Sequence, residues 1–339
     1  MYASFYHLTA EPFRLSPDPG FSFQHQCYRK AMTYMLHALH RAEGFIMITG
    51  RPGTGKTTLI NDLVQRLKPD QVAVAKIVST QLSATDLLDL VAHSFNIDTT
   101  GCTKARVLIQ IERFLNLQHK NGRRALLIVD EAQDMGREAL EELRLLTNIQ
   151  LGNFQLLQVF LVGQEELRAT VTAPSLEQLH QRLIAATHLE PLDSDSTMAY
   201  IKHRLRCANW HGDPLISTQA YGLIQQFSHG IPRRINHICN RLLLHGCIEE
   251  KHRLGIADLK VVIAELKQEL LLPVDTENGS SAIQWPDEQQ TETYEAEPQP
   301  TPPVLEEVVA TIPENMPDTP NVDQQPHTTM AHAELRTPA

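Results

Sequence analysis

Phe45-Ile46-Met47-Ile48-Thr49-Gly50-Arg51-Pro52-Gly53-Thr54-Gly55-Lys56-Thr57-Thr58 runs an apolar stretch into a glycine-rich loop and out into a helical pattern. Gly50 to Thr57 fit G-x-x-x-x-G-K-[ST] in full, between the strand and the helix that this pattern requires. The glycines let backbone N–H groups close around phosphate oxygens, and the helix starting near Lys56 aims its positive dipole end at the same charge. Lys56 is expected to reach the β and γ phosphates and the Thr57 hydroxyl to coordinate a magnesium ion. The whole loop, Gly50, Arg51, Pro52, Gly53, Thr54, Gly55, Lys56 and Thr57, with Thr58 after it, forms the expected nucleotide-binding set.

A second stretch, Ala125-Leu126-Leu127-Ile128-Val129-Asp130-Glu131, is an apolar strand whose C-terminal end delivers two carboxylates to the edge where α/β sheets bind ligands. Asp130 is placed to hold the magnesium through water. Glu131 points differently, where it can orient or deprotonate an attacking water, a task that hydrolysis needs and nucleotide carriage does not. Val162-Gly163-Gln164 ends another apolar run and is expected to set the Gln164 amide beside the γ-phosphate.

Short β-rich runs recur at Phe45 to Thr49, Val72 to Val78, Ala125 to Val129, Leu156 to Val162 and, more weakly, Ala185 to Leu189. Helical spacing fills the gaps, as Leu59, Leu63, Val64 and Leu67 or Leu140, Leu143, Leu146 and Ile149 show. This alternation predicts a parallel five-stranded sheet with helices on both faces. One strand lies between the loop and the Asp130-Glu131 pair, which fits the ATPase branch with an inserted strand.

Beyond Pro191, Ser194 to Asn209, Ser217 to Ser228, Pro232 to Glu249 and Ile256 to Leu272 all read as helices, so a small all-helical domain is expected over 192–272. There Gly230-Ile231-Pro232-Arg233-Arg234 puts two arginines into a helix's first turn, against the helix dipole. An anionic partner would account for them, with Arg233 reading the nucleotide and Arg234 its neighbour. Arg182, just before the fifth strand, is a candidate to contact a neighbouring subunit's nucleotide, and Arg168 is its rival.

The formal charge of −10 is unevenly distributed. From Pro273 to Ala339 there are 13 acidic residues, one basic residue and 11 of the 20 prolines, which leaves the body near neutral. Such a tail cannot bury enough apolar surface to offset its ordering entropy and is expected to be disordered. Five scattered cysteines without a C-x-x-C pair argue against zinc and a disulfide framework. No apolar run approaches membrane-spanning length and no leader pattern opens the chain, so a cytoplasmic address is expected.

With these residues in place, the sequence resembles AAA+ ATPases of the ExeA, or general secretion pathway protein A, family, which includes the MshM-type ATPases of mannose-sensitive haemagglutinin pilus biogenesis. Tyr2-x-x-Phe5-Tyr6-x-Leu8, Pro12-Phe13 and Pro17-Asp18-Pro19 resemble that family's N-terminal signature, expected here over residues 1–30 ahead of a core at 31–191. Further matching stretches are Asp130-Glu131-Ala132-Gln133, Leu143 to Asn148, Leu161 to Gln164 and Gly230 to Asn236. The resemblance implies an AAA+ fold with a helical lid, ATP with magnesium, Gln164 as sensor 1, Arg182 as candidate finger and Arg233 as sensor 2. It also implies adenine packing near Phe13 and Tyr28, a homo-oligomer, and a partner protein in a secretion or pilus complex at the inner membrane, where the chain would sit peripherally. Larger members continue into a membrane span and a periplasmic peptidoglycan-binding region, whereas the acidic tail follows here.

Two functional readings stand at this point. One is an ATPase that powers or switches assembly of a secretion or pilus machine. The other is an ATP-switched adaptor on DNA, resembling transposition helper ATPases. The near-neutral body does not call for nucleic acid, and the second reading needs a folded basic patch built from Arg204, Arg206, Arg233, Arg234 and Arg241.

Overall fold

The computed structural model describes residues 1–16, 18–41, 44–78, 83–269, 285 and 292–294. Its elements, in chain order, are α1 (Tyr2–Phe5), α2 (Gln26–Arg41), β1 (Phe45–Gly50), α3 (Lys56–Arg66), β2 (Val72–Val78), α4 (Ala84–Ser94), α5 (Lys104–Lys120), β3 (Arg124–Asp130) and α6 (Arg137–Leu146). A small hairpin of β4 (Gln150–Leu151) and β5 (Phe154–Gln155) leads to β6 (Leu157–Gly163), α7 (Glu165–Val171), α8 (Glu177–His180) and β7 (Leu183–Leu189). Then come α9 (Ser194–Cys207), β8 (Leu215–Ile216), α10 (Thr218–Ser228), α11 (Pro232–Ile248), β9 (Arg253–Leu254) and α12 (Ile256–Gln268).

Five strands form one sheet in the order β2-β3-β6-β1-β7, and every pairing is parallel. Side chains alternate across a strand, so an all-parallel sheet covered on both faces favours near-continuous apolar runs in its central strands. β1 illustrates this: Phe45 and Met47 pack with α4, α5 and α6, while Ile46 and Ile48 pack with α2 and α3. The expected five-stranded sheet with helices on both faces is the fold observed. Because the strands are parallel, the loop after β1 and the ends of β3 and β6 all lie at one edge.

The helical segment after Leu192 has its own apolar core, made by Ile201, Leu205, Ile224, Ile238, Leu242, Leu259 and Val262 among others. Two residues each from β8 and β9 pair in parallel within it, which the sequence reading did not anticipate. The N-terminal signature packs into this lid core. Tyr2, Tyr6, Leu8 and Phe13 are buried there, with the Tyr2 hydroxyl donating to Asn240 Oδ1 at 2.7 Å and the Tyr6 hydroxyl to the Lys251 carbonyl at 3.0 Å. Gly246, inside α11, makes room: a Cβ there would stand 2.3 Å from the Tyr6 hydroxyl. A glycine inside a helix costs roughly 1 kcal/mol against alanine, and here the cost is offset by seating an aromatic side chain.

This packing corrects the expectation for Phe13. Its ring is 1% exposed in the lid core, so it cannot lie against adenine. Tyr28, by contrast, is 5% exposed, with its hydroxyl donating to Asp62 Oδ2 at 2.8 Å, and it remains on the wall of the cleft beside the loop after β1. The tail expected to be disordered lies outside the described residues except for Trp285 and Glu292–Tyr294, all of which contact the lid. Among the described residues no helix is long and apolar enough to cross a membrane.

Candidate nucleotide-binding site

The loop after β1 closes on itself through Thr54, whose Oγ1 donates to the Arg51 carbonyl at 2.9 Å. Lys56, the first residue of α3, is buried, and its Nζ donates to the carbonyls of Gly50 at 2.8 Å and Arg51 at 3.2 Å. Burial lowers its pKa from the usual lysine value, while Glu131, Asp130 and Glu166 oppose the shift. Pro52 to Thr58 line a cleft of about 250 Å³ together with Glu131, Gln164 and Arg233. The Arg51 side chain turns away, 3.8 Å from Glu165, so its contribution to the loop is its backbone. A larger cleft of about 410 Å³ lies under edge strand β2, remote from this loop, so volume alone does not locate the site.

Asp130 is 5% exposed at the end of β3 and lies 3.3 Å from Lys76 Nζ on the neighbouring strand β2. Glu131 follows at φ 54°, a backbone region few non-glycine residues adopt, and one that persists where the surroundings hold it. The holder is Gln133. Its Nε2 donates to Glu131 Oε2 at 2.9 Å, and its Oε1 accepts from the Gln164 N–H at 2.9 Å. One side-chain amide thus ties the carboxylate after β3 to the residue that opens α7 after β6. Gly163 permits the approach, since a Cβ there would stand 2.7 Å from Gln133 Oε1.

The lid meets the loop directly. The Arg233 N–H donates to the Gly53 carbonyl at 3.2 Å, and a Cβ on Gly53 would come within 2.8 Å of Arg233 Cβ. Arg233 and Arg234 both stand in the first turn of α11, and the Arg234 pKa is lowered by burial and by Arg51. Arg182 lies elsewhere. It precedes β7, its carbonyl accepts from the Phe45 N–H, and its Nη1 donates to Thr147 Oγ1 at 3.1 Å. Since β1 and β7 are parallel, Arg182 is at the opposite end of the strands from the loop, about 15–20 Å away. It cannot reach the loop of its own chain. Arg168 is exposed on α7, beside the loop edge.

Several lining residues escaped the sequence reading. Phe21, Phe23, Tyr200 and Asn236 face the cleft, and Tyr200 donates to Asn236 Oδ1 at 2.9 Å. Arg204 is buried, donating from Nε to the Pro12 carbonyl at 2.6 Å and from Nη1 to the Tyr200 hydroxyl at 2.9 Å. Only the helical spacing of Tyr200 and Arg204 could have hinted at this pair; Phe21 and Phe23 carry no local signal. Of the five arginines that a basic patch would need, Arg204 is bonded inside the molecule and Arg241 is paired with Glu269.

Residues 39–171 match the family model described as an AAA domain. Over 267 residues the chain is 34% identical to General secretion pathway protein A of Aeromonas hydrophila, a match that covers 78% of this chain and 48% of that protein. The chain therefore spans about half the length of that relative. Among solved structures, it is similar to CDC6P from Pyrobaculum aerophilum, with a TM-score of 0.57, 17% identity, and 79% of this chain and 73% of that one covered. The Aeropyrum pernix ORC2 protein in its ADPNP-ADP complexes gives a TM-score of 0.55 at 17% identity, covering 70% of this chain and 66% of that one. At such identities the structures establish the fold alone. The glycine-rich loop, the sheet order and the matched sequence agree, and in its ATPase region the chain belongs to the AAA+ ATPases of the general secretion pathway protein A family.

Proposed function

We propose that the chain binds ATP with magnesium and hydrolyses it at a site shared between copies, and that turnover powers or switches assembly of a secretion system or a type IV pilus of the mannose-sensitive haemagglutinin kind. The observation that carries this reading is the convergence of Lys56, Thr57, Glu131, Gln164 and Arg233 on one cleft. Thr57 lines the cleft, and Asp130, whose Oδ1 accepts from the Glu131 N–H and whose Oδ2 lies 3.3 Å from Lys76 Nζ, stands at the strand end beside it; both are hard oxygen donors of the kind magnesium takes. When bound, that ion would neutralise charge on the phosphates.

The chain's own groups divide the remaining work. The loop amides and Lys56 hold the phosphates, which fixes the reacting group and supplies positive charge where negative charge builds up. Glu131 orients the attacking water and accepts its proton, and Gln133 positions Glu131 through its amide. Gln164 donates to the γ-phosphate. Arg233 carries the lid's response to the nucleotide, supported by its backbone bond to Gly53. Arg182 acts on a neighbouring copy's nucleotide, which its distance from its own loop favours. A partner protein at the inner membrane would hold the oligomer there peripherally.

Steady-state ATP turnover against protein concentration tests the shared site. Specific activity should rise with concentration in the wild type and fall by about 10³-fold or more in Arg182→Ala, the scale for an arginine acting in trans. Flat specific activity that ignores Arg182 would refute the shared site. A parallel series with double-stranded DNA covers the adaptor reading: turnover that appears only with DNA would replace the secretion assignment.

A further inference from the structure

β8 and β9 pair side by side, and the Ser217 N–H donates to the Leu254 carbonyl, so α10 and α12 begin next to each other on the lid. Both helix starts are completed by residues far along the chain. The Ile256 N–H, at the first position of α12, donates to Glu292 Oε1 at 2.8 Å. The Thr218 N–H, at the first position of α10, donates to the Thr293 carbonyl at 2.9 Å, and the Thr293 N–H donates to Gln219 Oε1 at 3.2 Å. Main-chain bonds of this kind recognise an extended peptide whatever its side chains, and the carboxylate at a helix start adds a charge preference.

Side chains supply the selectivity. Trp285 packs on Phe227 with ring centroids 5.2 Å apart and lies under Lys260 Nζ at 5.6 Å. Tyr294 faces Arg253 at 5.6 Å, and its hydroxyl donates to Glu292 Oε2 at 2.7 Å. The face that receives these aromatic and acidic groups carries Arg253 and Lys260, a charge complement to the 13 acidic residues beyond Pro273. Gly255 leaves the space the carboxylate needs, because a Cβ there would stand 2.0 Å from Glu292 Oε2.

We propose that this face of the lid is a peptide-docking site for an extended segment of acidic and aromatic character, and that the stretch of this chain bearing Trp285 and Glu292–Tyr294 is its resident occupant, bound in cis. The site is separate from the nucleotide cleft and independent of which reaction that cleft performs.

The test uses the full chain and a fluorescein-labelled synthetic peptide of residues 283–296, followed by fluorescence anisotropy. In the Trp285→Ala/Glu292→Ala double variant the cis occupant is weakened, so the peptide should bind at least tenfold more tightly than to the wild type, whose site is filled. Adding Gly255→Ala to that variant should abolish the binding; the backbone at Gly255 is extended (φ −122°, ψ −160°), so alanine is tolerated there without strain. A peptide carrying the same two alanines should not bind any of the three proteins. Equal binding to wild type and double variant, absence of binding to both, or equal binding of the altered peptide would each overturn the proposal.

Discussion

Gly53→Ala isolates the contact between loop and lid. Gly53 sits at φ +83°, and the left-handed region costs an L-residue with a Cβ about 1–2 kcal/mol. The new Cβ would also lie 2.8 Å from Arg233 Cβ and 3.1 Å from Ile231 Cγ2, far inside the ~3.5–4.0 Å of a relaxed carbon contact. Arg233 Cβ is fixed to the backbone of α11, so the overlap is relieved only by moving the lid or the loop, an adjustment that costs about 1–3 kcal/mol. If the nucleotide requires the two in register, these terms sum to roughly 2–5 kcal/mol of lost binding, at least about a 30-fold rise in Kd. Titration of a fluorescent ATP analogue, alongside thermal denaturation, measures it. Gly122→Ala is the control: it carries the same kind of strain at φ +70°, but nothing lies within 4 Å of its added Cβ. The control should lose stability and keep nucleotide affinity. If Gly53→Ala binds nucleotide within threefold of wild type, the lid does not help hold the nucleotide and the reasoning fails.

Lys56→Ala should abolish nucleotide binding, while Glu131→Gln should retain ATP and stop turnover, read by equilibrium binding and phosphate release; unchanged turnover in Glu131→Gln would remove it as the base. Gln133→Ala should lower kcat more than it changes nucleotide Kd, because it frees Glu131 and leaves the Gln164 N–H unpaired, a loss of about 1–3 kcal/mol. A drop in affinity with kcat preserved would contradict that positioning role. Tyr6→Phe removes only the hydroxyl that donates to the Lys251 carbonyl and should destabilise the lid by about 1 kcal/mol, seen in denaturant unfolding, with Tyr28→Phe as the matching case in the sheet domain. His25 and His203, both in ring contact with Phe23, have pKa values lowered by burial from the usual ~6.5. The unfolded chain therefore takes up protons first as pH falls, so stability present above about 6.5 should decline through the lower folded values. Thermal midpoints at pH 7.5 and 5.5 should differ less in His203→Gln, and an unaltered difference would exclude His203 as a source.

Much of the AAA core is legible because its signals are local. The loop's glycines, Lys56 and Thr57 are contiguous, Asp130 and Glu131 close an uninterrupted apolar strand, and β1 and β3 follow from runs that must be apolar on both faces. The lid helices were legible for the same reason, through periodicity and start signals such as Ser217, whose hydroxyl caps α10.

Tertiary structure decided the partnerships between distant residues. Phe13 could have been placed against a nucleotide or in a core by its type alone; it fills the lid because Tyr2 and Tyr6 find Asn240 and the Lys251 carbonyl there, more than 230 residues away. Arg204 looked like a surface cation until Pro12 and Tyr200 supplied its acceptors, and Gln133 gained a role only when parallel pairing brought the ends of β3 and β6 together. Periodicity says which face of an element must be covered, but a buried polar group must also find its particular partner, and that partner is fixed only by how the elements pack.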